Sequence, residues 1–512
     1  MVILERKNLL HLGSGSHFLV AFALSFAIAK LISIAFNKIF TNILNTAEMG
    51  QYTLLVTAVA TLATYSALGF PAALSRFTIS YKSKDQIKKL KDFVTTGFLL
   101  YISVEFLIVI ILVILYFSTG FTPDFLNIEP YIYTLLAVAI IAVSQIFSTI
   151  CYVVASALQN SRYYAIIIIM RVLLQIPLGI LFVLFLDMGV FGLILGYCLS
   201  EIIVALYATY NIVKDLGIGK FSLKEAKSML LFSVPSYLSG ILIGSLDLGI
   251  KVFVDYSFPI DGKEIIALYQ YGALTVVNIL LIADSIFRMV YRPIIFKYFD
   301  QGKHEEMENL TVTITKIFII TIVFGALILF SFSPLLIPFF TKSEYLPSIV
   351  VLPILLLSSI IGYLRTLMAY GHTVYFKNYW TIVASSISVV ITIPISYFSI
   401  INLGLIGMGI TYLSLTSIQF FILIFVSQHY FKVKYDKIIF LKLLLTIIFS
   451  ICIGCIFHFL IFLNFEYSIL VSFLIGTIFY TILVIVLKLL TRKDFDFLKS
   501  LVKNYLSIIK KR

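Results

Sequence analysis

Several charged residues lie inside long apolar runs of this chain, and two pairs of them repeat one spacing. In "GSLDLGIKVFVDY", residues 244–256, Asp247 precedes Lys251 by four positions, and Asp284 precedes Arg288 in the same way. On a helix, residues four apart share a face, so each pair can neutralise itself. A lone charge in a bilayer costs about 2.5–3.5 kcal/mol on insertion scales, so such residues are kept for pairing, for a wet cleft or for work. Lys30 has no acidic residue three or four positions away and sits mid-run, too deep to snorkel. Glu105 and Glu201 lie within other apolar runs, and Arg171 and Arg365 fall within about two turns of run ends. Lys38, Lys316 and Lys442 stand closer to run ends, where snorkelling explains them. The cations suit an anionic ligand such as a phosphate, which attracts Lys and Arg strongly at low dielectric. The carboxylates Asp247, Asp284, Glu105 and Glu201 suit charge partners or carriers of a coupling ion, Na+ or H+.

Catalysis is not what these residues suggest. The six histidines (His11, His17, His304, His372, His429, His458) are scattered, and no nucleotide-binding fingerprint appears. Cys452 and Cys455 have the spacing of half a metal or redox site, but both lie in an apolar run, as do Cys151 and Cys198, and read as small packing residues. No catalytic residue, bound cofactor or metal is expected, and the chain reads as something other than an enzyme.

The elements that must position the charges are transmembrane helices. The chain has 512 residues, 61% hydrophobic and 12% charged, with a mean hydropathy of +1.07. So few polar groups cannot cover a soluble surface of this size. Unbroken apolar runs of about 20 residues fit helices rather than alternating barrel strands. The fold class is all-α and polytopic, with about 14 spans: 15–40, 49–71, 93–117, 131–157, 164–186, 189–211, 231–254, 266–290, 311–337, 346–370, 379–400, 404–428, 439–463 and 467–490. The first run is too long for a signal-peptide core and reads as a retained span.

Charge placement sets the topology. If the N-terminus is cytoplasmic, the outside loops carry only Lys263 and Lys342, and the inside segments hold most of the 38 Lys and Arg. Both termini are therefore expected in the cytoplasm of a cell whose plasma membrane holds the protein. The net charge of +13 follows from this asymmetry and implies no nucleic acid. The basic stretches 72–92 and 212–230 look like amphipathic helices on the membrane surface.

The halves resemble each other. "MGVFGLILGYCLS" at 188–200 aligns with "LGLIGMGITYLSL" at 403–415, pairing Gly189 with Gly404, Gly192 with Gly407 and Tyr197 with Tyr412. In the same register Arg162 meets Lys377 and Tyr164 meets Tyr379, and a separate match of "AKLI" at 29–32 with "IKVF" at 250–253 places Lys30 opposite Lys251. Two pseudo-symmetric six-helix copies are expected, related by an axis along the membrane normal because six is even. The segments are 1–211 as the N-terminal lobe, 212–230 as an inter-lobe linker, 231–428 as the C-terminal lobe, and 429–512 as two further spans and a basic tail.

Residues 43–81, "ILNTAEMGQYTLLVTAVATLATYSALGFPAALSRFTISY", carry a family pattern in Glu48, Gly50 and Tyr52, then Leu68-Gly69 and Ala73 to Phe77. The chain resembles the O-antigen type of lipid-linked oligosaccharide flippase, in the superfamily that also holds multidrug extruders and peptidoglycan-precursor flippases. The second half repeats the pattern weakly around Asp247 and Tyr269, with Ala267 where Gly50 stands in the first. The resemblance implies a V-shaped two-lobed transporter with alternating access, whose first and seventh helices line the cleft. Lys30 and Lys251 would then face each other, with Arg171, Arg288 and Arg365 as further contacts to a polyprenyl phosphate or diphosphate carrying sugars. The implied function is inner-to-outer flipping of that lipid for cell-surface polysaccharide or glycoconjugate synthesis. The alternatives are a peptidoglycan-precursor flippase and an ion-coupled multidrug antiporter of the same fold. Expected partners are the anionic lipid-linked sugar, membrane lipids, and glycosyltransferases or a polymerase of the pathway, with the chain itself a monomer.

Overall fold

The computed structural model describes residues 15–83, 85–119, 131–158, 160–375, 377, 379–460, 468–491 and 494. Among them the regular structure is entirely helical. The chain divides into two compact units, Met1–Glu264 and Ile265–Arg512.

In the first unit the chain forms α1 (Gly15–Ile43), α2 (Thr46–Ser66), α3 (Phe70–Ser83), α4 (Ile87–Thr119), α5 (Tyr131–Ala157), α6 (Ser161–Ile180), α7 (Gly189–Leu216) and α8 (Leu223–Ser257). Helix α9 (Gly262–Ala267) leads into the second unit, which holds α10 (Leu274–Asp300), α11 (His304–Phe340), α12 (Leu352–Met368), α13 (Gly371–Val374), α14 (Tyr379–Leu403), α15 (Leu405–Tyr430), α16 (Lys437–Leu460) and α17 (Ser468–Val486). Among the described residues twelve helices are long and apolar enough to cross a membrane, and a bent pair, Ser343–Val350 with Leu352–Met368, makes a thirteenth if it is one span.

The remaining expected span, 49–71, coincides with α2, which is less apolar for a physical reason. Thr53, Thr57 and Thr61 recur every fourth residue and are buried. Each hydroxyl donates to the carbonyl four residues back, at 2.9, 2.8 and 2.9 Å. That back-bonding satisfies a polar stripe without water.

The family pattern in 43–81 proves architectural. Asn45 caps α2, accepting from the Glu48 backbone N–H at 2.8 Å, and the Glu48 carboxylate accepts from Asn45 N–H at 2.8 Å. This reciprocal capping box fixes the helix start. A Cβ at Gly50 would fall 1.8 Å from the Lys263 carbonyl oxygen, so only glycine lets α2 reach that backbone. Leu68 and Gly69, at φ 45° and 69°, break the chain between α2 and α3. Phe70, Ala73 and Leu74 of α3 then enter the core shared with α4, α5, α6 and α7. The stretch 72–92 thus differs from the expected surface helix, because its apolar face covers protein core. We expect Gly50→Ala to lower stability by about 1–3 kcal/mol, the usual cost of overpacking. A thermal melt in detergent checks this, and an unchanged midpoint would contradict it.

The glycines paired between the two halves share local backbone geometry. Gly189, the first residue of α7, and Gly404, just ahead of α15, both have φ 51°. At Gly192 and Gly407 a Cβ would strike the preceding helical segment's backbone, at Phe182 and Ser399 respectively. The contact boundary at Glu264 falls after α8, although the sequence repeat begins before it. Residues 212–230 form the end of α7, a short connection and the first turns of α8. The connection is strapped onto α4: Gly219 and Ser222 N–H donate to the Thr95 and Thr96 hydroxyls at 2.8 and 3.0 Å, and Lys220 N–H to Asp92 at 2.7 Å.

Candidate functional site

A cavity of about 250 Å³ opens inside the first unit between α1, α5 and α6. Its wall includes Phe26, Lys30 and Ser33 from α1, Tyr152 from α5, and Tyr164 and Arg171 from α6. Two of the cations singled out in the sequence therefore share one chamber. They differ in how they are held.

Arg171 is anchored. Its Nη2 donates to Ser148 Oγ at 2.6 Å and to Glu201 Oε2 at 3.0 Å, and its Nε lies 2.6 Å from Glu201 Oε1. Glu201 on α7 is wholly buried, with 0% side-chain exposure against 27% for Arg171. The carboxylate thus stands behind the guanidinium and leaves an edge of it to the cavity. Beside it, Gln145 donates to Tyr197. Gln175 of α6 donates to the Tyr52 hydroxyl at 2.8 Å, tying the cavity wall to α2.

Lys30 has no acceptor among the described residues. Its ammonium lies 5.8 Å from the Phe26 ring centroid, a cation–π contact weaker than an ion pair. The neighbouring Ser33 hydroxyl is turned to its own helix, donating to Ala29 O at 3.0 Å. With Glu201 offsetting Arg171, the chamber keeps about one unit of positive charge, and Lys30 supplies it. Tyr152 and Tyr164 add flat aromatic walls, 6.0 Å apart and nearly perpendicular.

Lys251 has a different setting from the one the resemblance implies. It does not line the Lys30 chamber but is sealed between α8 and α2, with 6% side-chain exposure. Its ammonium donates to Thr57 Oγ1 at 2.9 Å and to Asp247 Oδ2 at 3.1 Å. The four-residue spacing thus does form the local pair, and the threonine stripe completes its shell. The same seam continues through Tyr65 and Ser245 at 2.7 Å and the Tyr237 hydroxyl on Tyr65 O at 2.7 Å. We expect Thr57→Val to leave the ammonium one acceptor short and to cost about 1–3 kcal/mol. The melting midpoint of the variant checks this, and a midpoint equal to wild type would contradict it.

Glu105, 2% exposed on α4, accepts from the Ser66 hydroxyl at the end of α2, and its other oxygen has no hydrogen-bond partner among the described residues. In the second unit, Asp284 is buried on α10, and the side chain of Arg288 lies outside the described residues. Arg365 is half-buried on α12 and has no acceptor among the described residues. Lys316 pairs with Asp494 at 2.6 Å, so an ion pair rather than snorkelling explains it. Cys452 and Cys455 are free thiols on α16.

Sequence reasoning missed Ser148, Tyr152, Thr57 and Ser66. The threonine period in 53–61 was a readable signal, since a polar stripe on an apolar helix needs a partner face. Ser148 and Ser66 carried none, because an isolated serine in an apolar run usually bonds its own helix.

Fold and charge distribution together define a multi-pass α-helical membrane protein. The chain belongs to the family described as polysaccharide biosynthesis protein, whose model matches residues 19–299. No curated protein matches the chain significantly in sequence. Among solved structures, the fold is similar to that of the lipid II flippase MurJ in an inward closed conformation: 16% identity, TM-score 0.67, covering 91% of this chain and 97% of that one. It is also similar to an inward-facing multidrug resistance MATE family transporter of the MOP superfamily: 14% identity, TM-score 0.59, covering 80% and 94%. A mutant of the Vibrio cholerae MATE transporter VcmN gives 16% identity and a TM-score of 0.58, covering 81% and 97%.

Proposed function

We propose that this protein flips a lipid-linked oligosaccharide, carried on a polyprenyl phosphate or diphosphate, from the inner to the outer leaflet of the plasma membrane by alternating access. The observation that carries this reading is the Lys30 ammonium, lodged without an acceptor in a cavity whose second cation, Arg171, is already anchored. An unsatisfied charge at that depth is costly unless a ligand completes it. A phosphate oxygen is the natural complement, and Tyr152 and Tyr164 offer faces for a sugar ring. Membership of a polysaccharide biosynthesis family supports the sugar-bearing lipid, and the likeness to a lipid flippase supports the leaflet exchange.

In this reading the sequence copies 1–211 and 231–428 are the moving lobes, and both termini lie in the cytoplasm. The protein works as a monomer supplied by glycosyltransferases and feeding a polymerase. Arg288 and Arg365 are the further candidate cations, both carried by the second unit. Glu105, with one oxygen unpartnered among the described residues, is the carboxylate best placed to take up a coupling proton.

The test is translocation of a fluorescent lipid-linked oligosaccharide in proteoliposomes, set against efflux of a cationic dye. Sugar-lipid exchange without dye transport supports the reading. Dye efflux that fails on Glu105→Gln, with no lipid exchange, would replace it with the antiporter.

A further inference from the structure

Away from the Lys30 cavity, the second unit holds a wide groove of about 950 Å³ along the last turns of α15, beside the start of α14. It is lined almost wholly by apolar and aromatic side chains, among them Trp380, Phe421, Phe425 and Tyr430. Phe421 and Phe425 are 68% and 80% exposed. One end is closed by an aromatic knot: Trp380 Nε1 donates to Tyr430 Oη at 3.3 Å, Tyr379 Oη lies 3.4 Å from the same oxygen, and Tyr375 stacks on Tyr430 at 6.3 Å. Amphipathic rings of this kind sit at the water edge of a bilayer.

The same end is basic. Lys377, Lys432, Lys434 and Lys437 are exposed and have no ion-pair partner among the described residues. Lys377 is near enough to the Tyr430 hydroxyl to act on it electrostatically. Val433 N–H donates to Gln428 Oε1, on the groove wall, at 3.0 Å, which ties the backbone next to Lys432 to the groove. Glu308 accepts from Lys434 N–H at 2.7 Å and Asp436 from Ile438 N–H at 2.9 Å, capping α16, and both keep their negative charge, so the four lysines outnumber these two carboxylates. An apolar lane thus ends in a cationic, aromatic rim.

We propose that this groove is a binding site for an anionic glycerophospholipid, whose acyl chains lie along Phe421 and Phe425 and whose phosphate rests among Lys377, Lys432 and Lys434. Charge complementarity selects the anionic head: a zwitterionic lipid fills the lane equally but brings no net charge to the lysines. The site stands apart from the Lys30 cavity and does not depend on the transported substrate.

Trp380 is the only tryptophan in the chain, so its fluorescence reports this groove alone. In nanodiscs holding the full-length protein, phosphatidylglycerol with brominated acyl chains should half-quench Trp380 at a mole fraction about tenfold lower than brominated phosphatidylcholine. The triple variant Lys377→Gln, Lys432→Gln, Lys434→Gln should bring the two curves together, and the matching arginine variant should keep them apart. Equal quenching by both lipids in the wild-type protein would overturn the proposal, as would a preference that survives the glutamine variant. Recovery of emission on adding unlabelled polyprenyl diphosphate, at a lower mole fraction than unlabelled phosphatidylglycerol requires, would assign the groove to the carrier lipid and overturn it too.

Discussion

Replacing Lys30 by glutamine slows translocation of a lipid-linked oligosaccharide by about ten- to a hundredfold, the loss expected for one hydrogen bond to a charged group. The argument rests on what Lys30 lacks. Because its ammonium has no acceptor among the described residues, glutamine removes no internal ion pair and relieves a charge set in an apolar helix. The melting midpoint should therefore stay level or rise while transport falls, the opposition seen where a site is kept functional at a cost in stability. Lys30→Arg should retain a large part of the rate, since it keeps the charge. A Lys30→Gln protein that transports at the wild-type rate, or one that loses rate and stability together, would remove Lys30 from the site.

Glu201→Ala behaves in the opposite way. It should cost about 3–5 kcal/mol of stability, because it strands the Arg171 guanidinium with Ser148 alone. Glu201→Gln should cost less, since the amide oxygen still accepts one of the two bonds. Removing both charges, as Glu201→Met with Arg171→Met, should recover much of the loss. The double variant should still transport poorly, because the chamber then has Lys30 as its only cation. Thermal melts of Glu201→Met, Arg171→Met and the double form the cycle that checks this. Strictly additive losses would mean that Arg171 and Glu201 do not act as a pair.

These two residues also show what a sequence can and cannot convey here. The spans were legible because apolar runs and loop charges are properties of neighbours along the chain. Lys30 was legible for the same reason: no acidic residue lies within helical reach, and none pairs with it among the described residues. The Asp247–Lys251 pair follows from its spacing, but its closure by Thr57 does not, because that contact joins residues far apart in the chain. The resemblance implied that Lys30 and Lys251 face each other, and the structure turns Lys251 toward α2 instead. Arg171–Glu201 and Lys316–Asp494 were hidden likewise, each needing two helices to meet. The family pattern in 43–81 was legible as a signature, while its reasons, a capping box and a glycine against the Lys263 carbonyl, needed coordinates.

The most direct measurement is the affinity of the purified protein for polyprenyl diphosphate, wild type against Lys30→Gln, over a range of salt. The predicted result is binding about tenfold or more weaker in the variant, with a flatter salt dependence, since one charge contact is gone. Identical affinities and identical salt slopes would contradict an anionic head group held at Lys30.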